Sequence, residues 1–323
     1  MTVSSVCWSW TAAHTLMVTP GEPPPRSRSI TVTLQRPAVT VHLLHSLTNP
    51  DFRRPAAACH YDVGHLKSNL QKAIRRQRTD VALATAWQLL LQEPNELLRR
   101  LPIIATEDAC WTTNTNHVVW IMAWYAKTQR LLDVHVAVIL GHIQQLCSLC
   151  TAFDYRALDD SFEPSELPIY SGTIHSSFPW ALVIRQNYGG MRGDMRLLAF
   201  TRAREGWIEA PLVLWTEPFP PPFSVAHQLP EAIDFHCSDI VTRVRATVAP
   251  HLSLAQWRQM VWVYRSGWNA RKPWTQLAPP PEWPRLAAEL DRWARDWYWK
   301  HSKRPVATPR RQGLITDFVS SVT

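Results

Sequence analysis

The sequence predicts a mainly α fold: a helical body with a small β element at its N-terminus. Apolar residues recur at spacings of three and four over most of the chain from position 64 onward. Two short runs before position 45 alternate between apolar and polar residues. Hydrophobic residues make up 46% and charged residues 19% of the 323 positions, so we expect an extensive core in one large or two medium domains.

Residues 1–60 differ from the rest and are interpreted as an N-terminal extension. Three prolines at 23–25 exclude a helix there. The alternating runs at 30–34 and 39–43 predict a short β-hairpin, and the prolines at 50 and 55 mark a linker. The first 20 residues contain no charged side chain, so they lack the basic start of a secretory signal and the Arg-rich pattern of a transit peptide. Whether they target the chain in another way stays open.

Residues 61–301 are predicted to form a helical domain, with a possible sub-boundary at 151–178 and a basic tail at 302–323. A cap at Thr79 or Asp80 begins the second helix, and Pro102 is expected to kink or end the third. Prolines at 211–222 and 279–281 separate later segments. The predicted helices are 66–78, 79–91, 94–104, 118–127, 131–150, two short ones from 179 and 191, 230–248, 252–267 and 284–301.

The charge balance favours a polyanionic partner. Lys and Arg total 34 against 26 Asp and Glu, which gives a net charge of +8 and a pI near 9.4. Nucleic acid and anionic membrane surfaces are the partners that this balance suits. No apolar run approaches the roughly 18 residues that span a bilayer. The six cysteines are sparse and follow no secretory signal, so we expect an intracellular protein of the cytoplasm or nucleus.

The predicted helix at 66–78 is the first candidate for phosphate contact. It carries five cations and no acid. We expect Lys72, Arg75 and Arg76 to be exposed, on the face away from Leu70 and Ile74, where clustered cations neutralise phosphates. The alternative is a solvated helix end whose cations offset the macrodipole. The five cations are Lys67, Lys72, Arg75, Arg76 and Arg78.

Residues 66–110 resemble part of the C-terminal helical region of the replication-associated AAA+ ATPases of the RarA and Werner-helicase-interacting type. A basic helix at 72–76 and an Ala-rich helix at 81–91 precede a helix with Arg99-Arg100, an apolar run at 101–104 and Glu107-Asp108. The chain has no G-x-x-x-x-G-K-[ST] loop and no room upstream for an ATPase core. The resemblance implies a helical scaffold that assembles subunits near DNA without hydrolysing ATP. The alternative is convergence of an amphipathic helical pattern.

A glycine- and arginine-rich segment at 188–196 is the second candidate for phosphate contact. Three glycines lie beside Arg192 and Arg196, and Arg185 precedes them. Such a segment lets backbone amides and guanidinium groups approach a phosphate. Its spacing matches neither the dinucleotide fingerprint nor a P-loop. The alternative is a helix C-cap at the two adjacent glycines, followed by a new helix start near Asp194.

The C-terminal end is the third candidate. The last helix is followed by basic residues, and positions 300–311 contain no acid. Tyr298 and Trp299 precede this tail, and aromatics beside cations suit single-stranded nucleic acid. The alternative is a solvated tail. The cations are Lys300, Lys303, Arg304, Arg310 and Arg311.

Residues with metal or catalytic potential do not form a convincing pattern. Residues 234–239 read Asp-Phe-His-Cys-Ser-Asp, but neighbouring positions on a helix point in different directions. Cys147 and Cys150 have zinc-ligand spacing without a second pair. The acidic loop at 154–166 does not follow an EF-hand. We therefore predict no metal and no cofactor.

The sequence thus favours a non-catalytic, nucleic-acid-associated accessory protein, in DNA replication or repair. A second hypothesis is an assembly protein that docks on another subunit, or on its own copy, through Trp-rich helical surfaces, since the chain has 17 Trp. A third is an enzyme that uses the segment Asp234–Asp239. Two observations distinguish the first two hypotheses: whether the Trp side chains are buried, and whether the cations share one face.

Overall fold

The fold is mainly α, with a small β-sheet at the N-terminus, as the sequence predicted. The computed structural model describes residues 4–149 apart from positions 26, 28, 36–37, 56 and 58, and then residues 177–203, 207–232, 238–266 and 278–301. Within these ranges there are ten α-helices, a four-stranded sheet and a two-stranded sheet.

The N-terminal sheet has four strands in the order β2-β1-β4-β3. The predicted hairpin is confirmed, because β3 and β4 pair in antiparallel fashion. Two further strands were not predicted: β1 pairs antiparallel with β2 and parallel with β4. The strands are β1 Ser5–Trp10, β2 Leu16–Pro20, β3 Ser29–Gln35 and β4 Ala38–His45.

The helices follow the predicted order with shifted ends. They are α1 Val63–Arg75, α2 Thr79–Gln92, α3 Pro94–Asp108, α4 Thr113–Thr128, α5 Asp133–Ser148, α6 Ser177–Asn187, α7 Arg192–Ala203, α8 Ser238–Val248, α9 Leu254–Val261 and α10 Trp283–His301. The short strands β5 Trp111–Thr112 and β6 Trp207–Ile208 pair in parallel. None of these described helices is both long and apolar enough to cross a bilayer.

Helix α3 does not end at Pro102. It continues to Asp108, and the Thr106 hydroxyl donates a hydrogen bond to the Pro102 carbonyl at 2.7 Å. The side chains of Leu98, Leu101 and Ile103 are fully buried. Packing on neighbouring helices therefore compensates for the one backbone hydrogen bond that proline removes.

The sheet and the helices contribute to one hydrophobic core. Trp8 and Trp10 of β1 belong to the same buried cluster as the apolar residues of α1 to α5. The Trp120 indole of α4 donates a hydrogen bond to the Trp8 carbonyl at 3.0 Å. The Trp10 ring stacks on His135 of α5 with ring centroids 5.3 Å apart. Aromatic contacts thus join the sheet to α4 and α5.

An extended segment, residues 211–215, lies along α4 and α5 and is called the strap. The Asn114 amide pairs with the backbone of Val213, donating to its carbonyl at 2.9 Å and accepting from its N–H at 3.0 Å. The Trp215 N–H donates to the Ala137 carbonyl at 2.9 Å. A Cβ at Gly141 would lie 2.3 Å from the Val213 carbonyl oxygen, so only glycine permits this approach.

Candidate nucleic-acid interface

The basic face of α1 packs against α3 and not against solvent. Leu70 and Ile74 are fully buried, as predicted. The prediction that Lys72 and Arg75 are exposed is wrong, because they are only 4% and 6% exposed. The acidic C-terminal end of α3 covers this face and supplies partners for the cations, which the sequence of α1 alone does not show.

Asp108 is the centre of the buried charge network between α1 and α3. Its side chain is fully buried and accepts hydrogen bonds from Arg75 Nε at 2.5 Å and Arg75 Nη2 at 3.2 Å. The Gln71 amide donates to the same carboxylate at 2.8 Å. Glu107 Oε1 lies 3.6 Å from Arg75 Nη2, and Glu107 Oε2 lies 4.0 Å from Arg100 Nη2. Arg75 is therefore held by two carboxylates inside the protein.

The other cations of this region also have internal partners. Lys67 pairs with Glu96 at 2.5 Å, and Arg78 lies 3.6 Å from Asp80. Arg76 is half-buried, because its Nε pairs with Glu231 at 2.8 Å and its Nη2 donates to the Arg265 carbonyl. Of the three cations predicted to be exposed on α1, none is fully exposed.

Burial shifts the protonation of two groups in this network. It lowers the pKa of Lys72 to about 7, helped by the charge of Arg75 and opposed by Asp108. Lys72 therefore carries only part of a charge at neutral pH. Burial, together with the Asp108 carboxylate, raises the pKa of Glu107. Lys72 therefore does not contribute the full charge that a count of residues assigns to it.

A second group of cations surrounds the turn between α6 and α7. We call it the arginine turn, and its members are Arg99, Arg100, Arg185, Arg192 and Arg196. The helix-cap alternative for this segment is confirmed: α6 ends before the two glycines, with φ of 68° at Gly189 and 156° at Gly190, and α7 begins at Arg192. Phosphate contact by this segment stays a prediction. The glycines are needed because other residues rarely adopt such a φ.

Hydrogen bonds to backbone carbonyls hold two of these guanidinium groups. Arg185 is only 3% exposed and donates from Nε to the Arg99 carbonyl at 2.9 Å and from Nη1 to the Gly189 carbonyl at 2.8 Å. Arg99 Nη2 donates to the Tyr188 carbonyl at 3.0 Å. Carbonyl partners fix these groups without neutralising them, whereas the carboxylates around Arg75 neutralise it.

The arginine turn holds more guanidinium groups than carboxylates. Burial and the neighbouring Arg99 lower the pKa of Arg185 to about 10, which still leaves it charged at neutral pH. The nearby carboxylates are Asp194, 3.6 Å from Arg100, Glu107, 4.0 Å from Arg100, and Glu96, which acts on Arg185. Arg192 is exposed at the N-terminus of α7, where the helix dipole adds positive potential.

On helices α1, α3, α6 and α7, nine Lys and Arg residues accompany four Asp and Glu residues. The basic residues are Lys67, Lys72, Arg75, Arg99, Arg100, Arg185, Arg192, Arg196 and Arg202, and the acids are Glu96, Glu107, Asp108 and Asp194. The excess lies at the arginine turn, because the acids pair mostly with the α1 side.

The sequence placed Arg185, Arg192 and Arg196 in this candidate segment, but it did not identify Arg99 and Arg100 as site residues. Arg99 and Arg100 come from α3, and only packing brings that helix to the turn. The adjacent pair of arginines in the sequence was the available signal. The backbone of Lys300 lies in α10, whereas Lys303, Arg304, Arg310 and Arg311 fall outside the described residues.

The remaining candidates receive little support from the described residues. Asp234 to Cys237, Cys150 and the acidic loop at 154–166 lie outside them. Among the residues that the structure describes, no group of three His, Cys, Asp or Glu side chains could hold a metal ion. Every Trp whose side chain is described is buried or half-buried, which favours a role in the core over docking surfaces.

A separate cleft of about 210 Å³ opens at the C-terminal end of α4. Backbone hydrogen bonds join two segments there: the Phe52 N–H donates to the Leu131 carbonyl at 2.8 Å, and the Asp133 N–H donates to the Pro50 carbonyl at 3.1 Å. Arg130 pairs with Asp51 at 2.5 Å. The lining residues are Asp51, Phe52, Arg54, Pro94, Tyr125, Gln129, Arg130 and Leu131.

An aromatic step, formed by Phe52, Trp87 and Phe219, adjoins this cleft. The rings of Trp87 and Phe219 stack with centroids 4.7 Å apart and planes 15° apart. Phe52 lines the cleft and contacts both rings edge-on, at 5.9 and 6.0 Å. Trp87 is buried, but Phe219 is 56% exposed. Sequence reasoning identified neither the cleft nor this step.

No family model matches the chain, and no curated protein or solved structure is detectably similar to it.

Proposed function

We propose that the protein is a non-catalytic nucleic-acid-associated accessory protein that contacts phosphates through the arginine turn. The observation that carries this proposal is the excess of guanidinium groups around the Gly189-Gly190 turn. Arg192 is exposed, and Arg99, Arg100 and Arg196 are half-buried, so these four are accessible to a phosphate. Arg185 is buried and adds positive charge behind them, and the Arg99 guanidinium is held by a backbone carbonyl. Arginine is suited to phosphate because its planar group presents paired donors. Groups that are already oriented lose less conformational entropy on binding.

The biological setting is proposed from the resemblance at 66–110. Its elements form α1, α2 and α3, and Arg100, Glu107 and Asp108 meet in the buried network with Arg75. We propose on this basis a helical scaffold near DNA, in replication or repair, that does not hydrolyse ATP. Cys7 and Cys59 are free thiols, which supports a reducing compartment, the cytoplasm or the nucleus.

The test is a titration of fluorescent DNA with the full chain at several salt concentrations. The double variant Arg192→Gln/Arg196→Gln removes two cations of the arginine turn. Each phosphate contact contributes roughly 0.7 to the slope of log affinity against log salt for single strands and roughly 0.9 for duplex. We therefore expect the variant's slope to fall by up to about 1.4 to 1.8.

The matched control is Arg285→Gln, which removes an exposed arginine on α10. Its salt slope should equal that of the wild type. A loss in Arg285→Gln half as large as that in the double variant, which removes twice as many charges, would show that only the overall charge matters. If the wild type fails to bind DNA or RNA at low salt, the proposed function is wrong.

A further inference from the structure

We propose that Phe219 is a preformed stacking platform for an unpaired base, so that the nucleic acid bound by this protein is single-stranded. The inference rests on the proposed function and names its substrate class. Its basis is the exposed ring of Phe219, one face of which lies on Trp87 while more than half of its surface remains open to solvent.

The platform is rigid before any ligand arrives. Phe219 lies between Pro218 and Pro220, and two further prolines follow it, so the backbone has little freedom. The Trp87 indole supports the ring from below, and Phe52 buttresses both rings. The Trp215 indole donates a hydrogen bond to the Pro218 carbonyl at 3.2 Å, which fixes the segment further. Little entropy therefore remains to be lost when a base stacks.

A cation lies close to the platform for the phosphate of the same strand. Two cations, Arg54 and Arg130, line the cleft together with one carboxylate, Asp51. Asp51 pairs with Arg130, so the charge of Arg54 is not offset by it. Arg54 is exposed and hydrogen-bonds to Tyr125. Glu217, two residues before Phe219, is exposed and opposes this charge. Stacking of a base on Phe219 needs no net charge and is therefore the main basis of recognition. Arg54 adds an ionic contact with a phosphate.

The cleft and the arginine turn each include a residue of α3. Pro94 lines the cleft, and Arg99 of the arginine turn lies five residues further along the helix, a rise of about 8 Å. A base in a duplex has both faces covered by its neighbours and is unavailable to such a ring. Only an unpaired base can use the platform, and this determines the class of nucleic acid.

The test compares three fluorescent probes of equal length, about 20 nucleotides so that one site is covered. They are oligothymidylate, a strand of abasic sites and a duplex. Wild-type protein should bind oligothymidylate about 5- to 150-fold more tightly than the abasic strand, the range that one stacked base contributes. Phe219→Leu should abolish this difference, and Phe219→Tyr should retain it. Met17→Ala, which alters an exposed apolar residue of β2, is the control and should behave as wild type.

The outcomes separate this inference from the proposed function. Equal wild-type affinity for oligothymidylate and the abasic strand would overturn the stacking inference and leave phosphate contact standing. So would a Phe219→Leu variant that keeps the full difference. Binding of no probe would overturn both. The wild-type comparison needs no variant, so it decides the matter even if Phe219→Leu fails to fold.

Discussion

Replacement of Asp108 by Asn tests whether the charge network between α1 and α3 stabilises the fold. The substitution keeps the size of the side chain but removes the charge that compensates Arg75, which is only 6% exposed. Loss of one partner from a buried pair costs about 3 to 5 kcal/mol. Glu107 remains 3.6 Å from Arg75 Nη2 and offsets part of the loss, so we expect about 3 kcal/mol.

The assay is urea unfolding monitored by Trp fluorescence. This fluorescence reports on the core because most of the indole side chains are buried there. A double-mutant cycle with Arg75→Met and Asp108→Leu isolates the pair. The double variant should be less destabilised than the sum of the single variants, since it leaves no uncompensated charge. The control is Glu289→Gln, which breaks the exposed pair between Glu289 and Arg292 on α10 and should cost less than about 1 kcal/mol.

A cost for Asp108→Asn as small as that of Glu289→Gln would refute this reasoning. The Arg75–Asp108 pair would then behave as a solvated surface pair. The side chains of Arg75 and Asp108 would then be accessible to water, and the conclusion that the α1 cations are paired inside the protein would be wrong.

The remaining predictions concern pH, the strap and the tail. The pKa of Lys72 is about 7 in the folded state, below its unfolded value of 10.5, so burying its charge costs stability below pH 7, and this cost disappears as the pH rises toward 10.5. The variant Lys72→Met should therefore stabilise the fold most at pH 6. In urea titrations this gain should shrink by up to about 1.4 kcal/mol per pH unit above 7. Gly141→Ala should cost about 1 to 3 kcal/mol in thermal unfolding because its Cβ meets the strap, whereas Gly193→Ala, where a Cβ meets nothing, should be neutral or stabilising. Removal of residues 302–323 takes away Lys303, Arg304, Arg310 and Arg311 and should lower the salt slope for single strands by up to about 3, and an unchanged slope would show that the tail touches no phosphate.

The local part of the fold was predictable and the long-range part was not. Helices α1 to α3 and the β3–β4 hairpin arise from patterns within short stretches of sequence. Strand β1 was missed although Val6, Trp8 and Trp10 alternate with small residues. The small residues Ser5 and Cys7 are buried too, so the strand lacks the exposed polar positions of a half-buried strand. Its partner β4 begins 28 residues after β1 ends, and no local signal announces a parallel pairing over that distance.

The candidate site shows the same limit. A helix sequence indicates which face is polar, but it does not say whether water or another helix covers that face. Lys72 and Arg75 were expected to meet water, and the acidic end of α3 covers them instead. Arg185 and Arg192 were found because glycines mark a turn beside them, whereas Arg99 reaches that turn only through packing. Phe219 lies in a proline-rich stretch that the sequence marked as a separator.

The strap has a consequence for the order in which the structure forms. Its contact between Asn114 and Val213 joins positions 99 residues apart, whereas the contacts among α1 to α5 all fall within residues 63–148 and so join positions closer along the chain. Contacts between distant positions cost more chain entropy to form, so we expect the strap to dock late in folding. In native-state hydrogen exchange, the Trp215 amide should exchange through local opening of the strap, while the amides of α2 should exchange only through global unfolding. The groove between α4 and α5 would then be exposed transiently in the native ensemble.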